Sequence, residues 1–276
     1  MTDLVAITYA NDNHYHLHRL LTSAAHWGIP LQVLGLGEPW RGFLHRLAVL
    51  RKFIEDLADE QLVLCSDGYD AIYLQPAAVI SERFQGFSSP VVFSAEMSFH
   101  APGNEAIADR YPESPTIYRY LNAGAFIGRC GPLKKILARV LADSRTDEDQ
   151  SLLSRYFLDH PGEISLDYRA ELFVTTSNRQ YDDDLESRDG RLFNRQTGTW
   201  PCLLHTPGGY YGVLEYYSRQ LPFYRAVEWS RLDARTAGQI AAGYLNLRAY
   251  RLCKRWGLVS QQDDFSCLLR RRRSNG

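Results

Sequence analysis

Short apolar runs alternate with stretches of helical periodicity up to about residue 160. The runs are short and rich in strand-forming residues, which is typical of buried strands, whereas the longer stretches carry apolar residues at helical spacing. Such alternation predicts a parallel α/β sheet covered by helices. The predicted strands are Leu4–Tyr9, Leu31–Leu34, Gln61–Cys65, Val91–Glu96 and Ala125–Gly128, and the predicted helices are His14–Trp27, Phe43–Leu57, Ala77–Phe84, Pro132–Ala142 and Glu148–Leu158.

The pattern changes after Ile164. Short strands are expected at Glu171–Thr176 and Cys202–Leu204, with a hairpin around the Asp-Gly pair of Arg188–Arg191. From Leu214 onward the chain is helical in pattern, aromatic and basic. We interpret this order as one α/β domain over residues 1–212 and a helical C-terminal extension, residues 213–276, packed on the same domain.

Composition and charge exclude several classes of protein. The chain is 45% hydrophobic and 23% charged with a net charge of −1, which excludes a disordered chain and a nucleic-acid-binding protein. We interpret the basic run Arg270–Arg273 as a solvated terminus, and the alternative is a phosphate- or lipid-binding patch. Five cysteines without a C-x-x-C pair are typical of buried free thiols in a reducing compartment. Neither a secretory signal nor a membrane-spanning run is recognisable, so we expect a cytoplasmic protein with no transmembrane segment.

The segment Ser66–Asp70 carries the clearest candidate chemistry, because it follows the apolar strand directly. Ligands of α/β sheets bind beyond the carboxyl ends of strands. Asp67 and Asp70, three residues apart, offer oxygen ligands to Mg²⁺ or Mn²⁺. The alternative is an acidic turn in which Asp67 hydrogen-bonds its own backbone. Further along, His205–Gly209 is either a turn or a place where backbone approaches a ligand.

Two further polar clusters have simpler interpretations. His14, His16 and His18 would share one face of a strand and build a zinc site, but the local pattern favours a helix with a solvated face. The acids of Asp147–Asp149 lie at a predicted helix start, where negative charge stabilises the helix dipole. No P-loop, nucleophile-elbow or dinucleotide fingerprint is present in the sequence.

Taken in order, the segments resemble a known family. The series comprises Thr8, Leu34–Gly42, Ser66–Asp70, Val92–Glu96, Tyr111-Pro112, Tyr120–Gly128, Asp147–Gln150, Leu192–Asn194 and Leu204–Gly208. It is similar to the glycosyltransferase domain of the procollagen lysyl hydroxylase/glycosyltransferase family, including stand-alone bacterial and viral relatives. The resemblance spans about residues 4–211. It does not extend to the hydroxylase half of the animal enzymes, so no iron or 2-oxoglutarate chemistry is implied.

The resemblance implies a GT-A fold, which is a Rossmann-like mixed sheet flanked by helices. It also implies a metal-dependent hexosyltransferase with Mn²⁺, or Mg²⁺, as cofactor and UDP-glucose or UDP-galactose as donor. Asp67 and Asp70 match the acidic metal ligands of the family, and His205 matches the third ligand.

Other positions match residues around the donor and the acceptor. Tyr69 matches the residue that stacks on uracil, Thr8 a nucleotide contact at the end of the first strand, and Arg46 a basic residue at the diphosphate. Gly208 belongs to the same element as His205 and is expected near the donor. Glu148 and Asp149 match acids lining the sugar and acceptor pocket, and Asn122 lies near the donor sugar.

The chain departs from the family pattern at three places. Thr206-Pro207 intervene before Gly208, a lysine that grips the diphosphate is replaced near Tyr211, and a tryptophan is replaced by His100. The expected acceptor is a hydroxyl, such as hydroxylysine or glycosylated hydroxylysine of a collagen-like protein, or a bacterial glycan. The alternatives are a metal-dependent nucleotide-sugar hydrolase and a catalytically silent sugar-binding module. A homodimer is possible, and the stereochemistry of transfer stays open.

Overall fold

A computed structural model describes residues 4–101, 104–143, 145–176, 184–208, 211–224, 232 and 234–256. The strands are β1 (Leu4–Tyr9), β2 (Leu31–Leu34), β3 (Leu62–Asp67), β4 (Ala71–Tyr73), β5 (Val91–Glu96), β6 (Tyr120–Arg129), β7 (Ser165–Asp167), β8 (Phe173–Thr175), β9 (Leu185–Arg188), β10 (Arg191–Asn194) and β11 (Leu203–His205). The α-helices are α1 (Tyr15–His26), α2 (Phe43–Ile54), α3 (Ala77–Phe84), α4 (Cys130–Ala142), α5 (Asp149–Asp159), α6 (Tyr211–Ser218) and α7 (Ala234–Arg255), and a 3₁₀ helix covers Glu105–Arg110.

Six strands form the central sheet in the order β2-β1-β3-β6-β5-β7. The pairs β1–β2, β1–β3 and β5–β7 are parallel, whereas β6 runs antiparallel to both β3 and β5. The parallel sheet that the alternation of strands and helices predicts is therefore wrong for β6. The observed arrangement is the mixed, Rossmann-like α/β sheet that the family resemblance implies.

Both faces of the central sheet are buried, which explains why its strands are continuous apolar runs. In β1, Ala6 packs in the apolar cluster on one face and Ile7 in the cluster on the other. In β3, Leu64 and Cys65 divide in the same way. Packing on both faces holds the carboxyl ends of β1 and β3 rigidly beside each other, where the polar residues begin.

A second sheet of three strands, β4-β11-β8, was not expected as a unit. Strand β4 is only three residues long and begins directly after Asp70, so it is too short for periodicity to reveal. It pairs antiparallel with β11, with Ala71 opposite His205. This pairing joins two segments of the candidate site that are far apart in sequence.

The β5–β6 pair contains a large irregularity in register. Phe93 pairs with Phe126, but the next residue, Ser94, pairs with Asn122. Residues 123–125 are therefore extra on the β6 side, a bulge of the kind that re-aims backbone near functional sites.

The C-terminal helices pack on the α/β domain. Val213, Leu214 and Tyr217 of α6 are buried in the core of the central sheet. Helix α7 lies against α6 so closely that a Cβ at Gly243 would be 2.5 Å from the Cα of Gly212. The division at residue 212 stays a prediction, and Arg270–Arg273 and Cys267 lie outside the described residues.

Three residue-level expectations can be checked in the described ranges. The hairpin β9–β10 turns at Asp189 and Gly190, both with positive φ, as an Asp-Gly turn predicts. Cys65, Cys130, Cys202 and Cys253 are free thiols. None of the helices that the structure describes combines the length and apolar character required to cross a bilayer.

Candidate metal centre and adjoining cleft

Three side chains that could ligate a metal meet where the two sheets adjoin. Asp67 ends β3, Asp70 ends the following turn, and His205 ends β11. His205 Nε2 lies 3.4 Å from Asp67 Oδ2 and 3.5 Å from Asp70 Oδ1. One ligand atom from each residue falls within 4.8 Å of the others. The residues that the resemblance assigned to the metal are thus brought together by the fold.

The imidazole of His205 is suited to a metal ion. The residue is only 1% exposed, and neither ring nitrogen has a hydrogen-bond partner in the described part of the chain. A buried polar group without a partner is costly. Two carboxylates and one imidazole form the mixed oxygen and nitrogen set that Mn²⁺ accepts, and they leave other positions open. The donor set therefore fits a divalent cation.

Gly124, in the bulge of β6, makes room for that imidazole. A Cβ at position 124 would lie 2.1 Å from Cε1 of His205, a separation that real side chains do not reach. The Leu-Asn-x-Gly segment therefore ends in glycine because the histidine ring occupies the side-chain space. Thr206 anchors the other side of the histidine by donating its backbone N–H to the carbonyl of Asp70 at 2.8 Å.

Arg46 holds the carboxylate of Asp67 in a defined orientation. Its Nη1 donates to Asp67 Oδ1, which leaves Oδ2 facing His205. Its Nη2 donates to Asp149 Oδ2 at 2.7 Å. The guanidinium is buried between the carboxylates of Asp67 and Asp149. Its hydrogen bond to Asp67 orients that candidate metal ligand. Contact of Arg46 with the diphosphate stays a prediction.

Asp149 and Glu148 lie at the start of α5, as expected, but they differ in environment. Glu148 occupies the N-cap position without a side-chain capping bond, and burial together with the charges of Asp149 and Asp147 raises its pKa. Asp149 is buried and bonded to Arg46, so its carboxylate is part of the charged network around the metal site. Asp149 therefore does more than stabilise the helix end.

Glu96 is a site residue that sequence reasoning did not single out. It is buried, accepts a hydrogen bond from Gln150 Nε2 at 2.8 Å, and has its pKa raised to about 7 by burial, against the effects of Asn122, Gln150 and His205. Asn122 Oδ1 also accepts from the backbone N–H of Gly124 at 2.9 Å. The signal in the sequence that could have identified Glu96 is its position at the end of β5, in the Ser-Ala-Glu segment.

Thr8 and Gly68 shape the turn that carries the acids. The Thr8 hydroxyl donates to the carbonyl of Ser66 at 2.8 Å, which ties β1 to the end of β3. A Cβ at Gly68 would lie 2.9 Å from the carbonyl oxygen of Tyr9, so the turn passes close over β1. Thr8 thus holds the start of the acidic turn through its hydrogen bond to Ser66. Its contact with a nucleotide stays a prediction.

A cleft of about 550 Å³ adjoins the metal centre. Tyr69 is fixed on its wall, because its hydroxyl accepts from the backbone N–H of Asp12 at 2.8 Å and donates to Asn11 Oδ1 at 3.1 Å. Partial burial raises the pKa of the Tyr69 phenol. The lining residues are Asn11, Asp12, His14, Trp40, Tyr69, Tyr211, Arg235 and Gln239. A planar ligand of nucleoside size has room here.

Two further sequence expectations concern glycine and histidine. Gly208 lies in a turn with φ of +79°, a backbone conformation that favours glycine. Its contact with a donor stays a prediction. The segment carrying His14, His16 and His18 begins helix α1, and only the Asp67, Asp70 and His205 group meets the geometry of a metal site among the described residues. His16 is buried rather than solvated and stacks on Tyr211 at 3.8 Å, because α6 covers that face of α1.

Comparison with known proteins identifies the class to which this site belongs. Residues 1–230 match the family described as the PLOD GT domain, and the chain belongs to that family of glycosyltransferase domains. It is 28% identical to human procollagen-lysine,2-oxoglutarate 5-dioxygenase 1 over 235 residues, which are 80% of this chain and 32% of that protein. It is 31% identical to the Drosophila melanogaster procollagen-lysine,2-oxoglutarate 5-dioxygenase over 208 residues, 69% of this chain and 28% of that protein.

A viral relative is also similar. An uncharacterised protein of Acanthamoeba polyphaga mimivirus is 30% identical over 186 residues, 64% of this chain and 39% of its own length. The chain thus spans about a third of the length of the curated relatives that it matches.

Proposed function

We propose that this chain is a metal-dependent hexosyltransferase that moves glucose or galactose from a UDP-sugar to a hydroxyl acceptor. The acceptor class that we propose is hydroxylysine or glycosylated hydroxylysine in a collagen-like protein, or a bacterial glycan. Family membership supports glycosyl transfer as the reaction type. The observation that carries the proposal is the convergence of Asp67, Asp70 and His205 beside a cleft large enough for a nucleotide.

Asp67, Asp70 and His205 would hold the divalent cation. When bound, the cation offsets the negative charge that develops on the diphosphate leaving group. Arg46 fixes Asp67 so that one carboxylate oxygen points toward the metal position, and the bulge at Gly124 admits the His205 ring. These contacts preorganise the ligands, so little reorganisation is required when the cation binds.

The cleft supports a nucleotide as the donor group. Tyr69 is immobilised by hydrogen bonds to Asp12 and Asn11, so its ring is a fixed platform beside the metal ligands. Stacking of a base on such a ring contributes about 1–3 kcal/mol in comparable sites. We propose the uracil ring as the group that stacks there.

The acids beyond Arg46 support a role on the acceptor side. Asp149 shares Arg46 with Asp67, and Glu148 is its neighbour with a raised pKa. A carboxylate held near the reacting carbon can orient or deprotonate an acceptor hydroxyl, or stabilise positive charge on that carbon. We propose Glu148 and Asp149 for this role, with Asn122 organising the bulge beneath the sugar.

The test is UDP release from UDP-glucose and from UDP-galactose with Mn²⁺, with and without hydroxylysine or galactosyl-hydroxylysine peptides. We expect release that depends on the acceptor and disappears in Asp70→Ala and in His205→Ala. Release without an acceptor would instead identify a nucleotide-sugar hydrolase. Absence of both release and UDP binding would identify a silent sugar-binding module and contradict the proposal.

A further inference from the structure

Helix α7 begins at Ala234, beyond residues 1–230 that match the family, yet it forms part of the cleft wall. Two contacts fix its position. Thr236 Oγ1 and His14 Nε2 are hydrogen-bonded at 2.6 Å, and Gly243 lies directly against Gly212 of α6. The first turn of α7 is thereby held beside the start of α1, and it lines the same cleft as Tyr69.

Helix α7 places a positively charged side chain, that of Arg235, on the wall of the cleft. Arg235 and Gln239, one helical turn apart, both line it. Arg235 is exposed, and no carboxylate of the described residues lies within ion-pairing distance of it. Arg46 is different, because its guanidinium is buried between Asp67 and Asp149.

Charge at the site favours an anionic occupant near Arg235. Asp67 and Asp149 pair with Arg46, and Asp70 lies beside Asp67 in the candidate metal centre. A divalent cation would bring these three carboxylates and one arginine to neutrality. A bound diphosphate then adds negative charge that the group does not offset. The pKa of the Tyr211 phenol is raised by the charge of Asp70 and lowered by that of Arg235, so both charges act on this residue of the cleft wall. Arg235 is therefore the arginine on the cleft wall that is placed to receive that charge.

We propose that Arg235 binds the diphosphate of the nucleotide donor, so that a helix outside the matched family region completes the donor site. This inference rests on the proposed function. A guanidinium donates two parallel hydrogen bonds to phosphate oxygens, which distinguishes it from a neutral side chain of similar length. Because Arg235 is proposed to bind the diphosphate, its replacement is expected to lower the affinity for ligands that carry phosphate and to leave the affinity for other ligands unchanged.

The experiment is calorimetric titration of the full chain with UDP and with uridine in the presence of Mn²⁺. Arg235→Gln is the variant, and Arg255→Gln, an exposed arginine at the far end of the same helix, is the matched control. We expect Arg235→Gln to weaken UDP binding about tenfold, with uridine binding and the melting temperature unchanged. The salt dependence of UDP affinity is expected to fall in Arg235→Gln, because one screened charge pair is lost.

Each outcome separates this inference from the function on which it rests. Equal loss of UDP and uridine binding, or UDP binding by Arg235→Gln with the wild-type affinity and salt dependence, overturns the role of Arg235 while leaving the transferase proposal intact. Failure of the wild type to bind UDP with Mn²⁺ overturns the proposed function, and the assignment of Arg235 with it. An equal loss in Arg255→Gln would show a general effect of charge and also contradict the proposal.

Discussion

The imidazole of His205 occupies the space in which any side chain at position 124 would begin. Glycine at that position is thus required by the place of the His205 ring, which belongs to β11 of the smaller sheet, whereas Gly124 belongs to β6 of the central sheet. The requirement links the bulge in β6 to the geometry of the ligands. It also makes Gly124 a direct probe of whether His205 binds metal.

We expect Gly124→Ala to lower Mn²⁺ affinity at least about tenfold, because a Cβ 2.1 Å from the ring forces His205 out of position. Mn²⁺ binding can be followed by electron paramagnetic resonance of the free ion. Gly238→Ala, where nothing lies within 4 Å of the added Cβ, is the control and is expected to bind Mn²⁺ normally. Unchanged affinity in Gly124→Ala would exclude His205 as a ligand.

Glu96 gives the protein a pH dependence of stability. Burial raises the pKa of Glu96 from its ordinary 4.5 to about 7, so the folded state holds a proton that the unfolded state has released between these values. The free energy of unfolding therefore falls as pH rises through that window. We expect the free energy of unfolding of Glu96→Gln to fall less than that of the wild type over the same pH range. The measurement is urea denaturation of the metal-free proteins. Parallel curves for the two proteins would contradict a raised pKa.

The residues of the site were predictable to different degrees. The spacing of Asp67 and Asp70 after a buried strand is compatible with a cation site, but taken alone it favours an acidic turn. His205 is distant in sequence, and only the order of motifs connected it with the acids. Glu96 is the last residue of the apolar strand β5, and no local pattern reveals that its neighbours in space are Gln150 and Asn122.

At the scale of elements, a buried ion pair joins α1 to α6. Arg19 donates to Glu215, which is fully buried and also accepts from Arg219 Nε at 3.0 Å and from the Tyr224 hydroxyl at 2.6 Å. Removing one member of a buried pair leaves the other charge uncompensated. This pair therefore fixes α6, on which α7 rests.

We expect Glu215→Gln to lower the free energy of unfolding by about 3 kcal/mol, because Arg19 stays buried without its counter-charge. Asp159→Asn is the control, since the Arg110–Asp159 pair is exposed, with side chains 48% and 43% accessible. That substitution is expected to cost less than about 1 kcal/mol. Equal effects in chemical denaturation would show that the Arg19–Glu215 pair does not stabilise the fold.

Most elements were predicted from periodicity, but the direction and full length of β6 and the presence of β4 were not. Helix α3 and strands β1, β2 and β5 have the predicted bounds. The direction of β6 was missed, because an apolar run has the same pattern whichever way the strand runs, and β4 was missed because three residues carry no period. Pairing partners, rather than local preference, define both.

At the scale of the whole molecule, the candidate metal ligands come from two different sheets and the turn that joins them. Asp67 ends β3 of the central sheet, and His205 ends β11 of the smaller one. The chain crosses between the sheets through the turn that carries Asp70. A cation held by all three residues would fasten the sheets together at this crossing.

We therefore expect Mn²⁺ to raise the melting temperature of the wild type, with no substrate present. An ion that binds only the folded state stabilises it by about 4 kcal/mol at roughly 1,000 times its Kd. His205→Ala is expected to lose most of this effect, whereas the control Gly238→Ala should keep it. If the melting temperature of the wild type does not change when Mn²⁺ is added, the three side chains do not form one metal site.

The placement of the ligands on two sheets has a consequence for the life of the protein in a cell. If a cation joins the sheets here, a chain without metal would open more often, and proteases degrade opened chains. A stabilisation of about 1–2 kcal/mol is enough to change the abundance of a marginally stable protein several-fold. We therefore expect metal supply to control how many copies of this protein persist, as well as how fast each copy works.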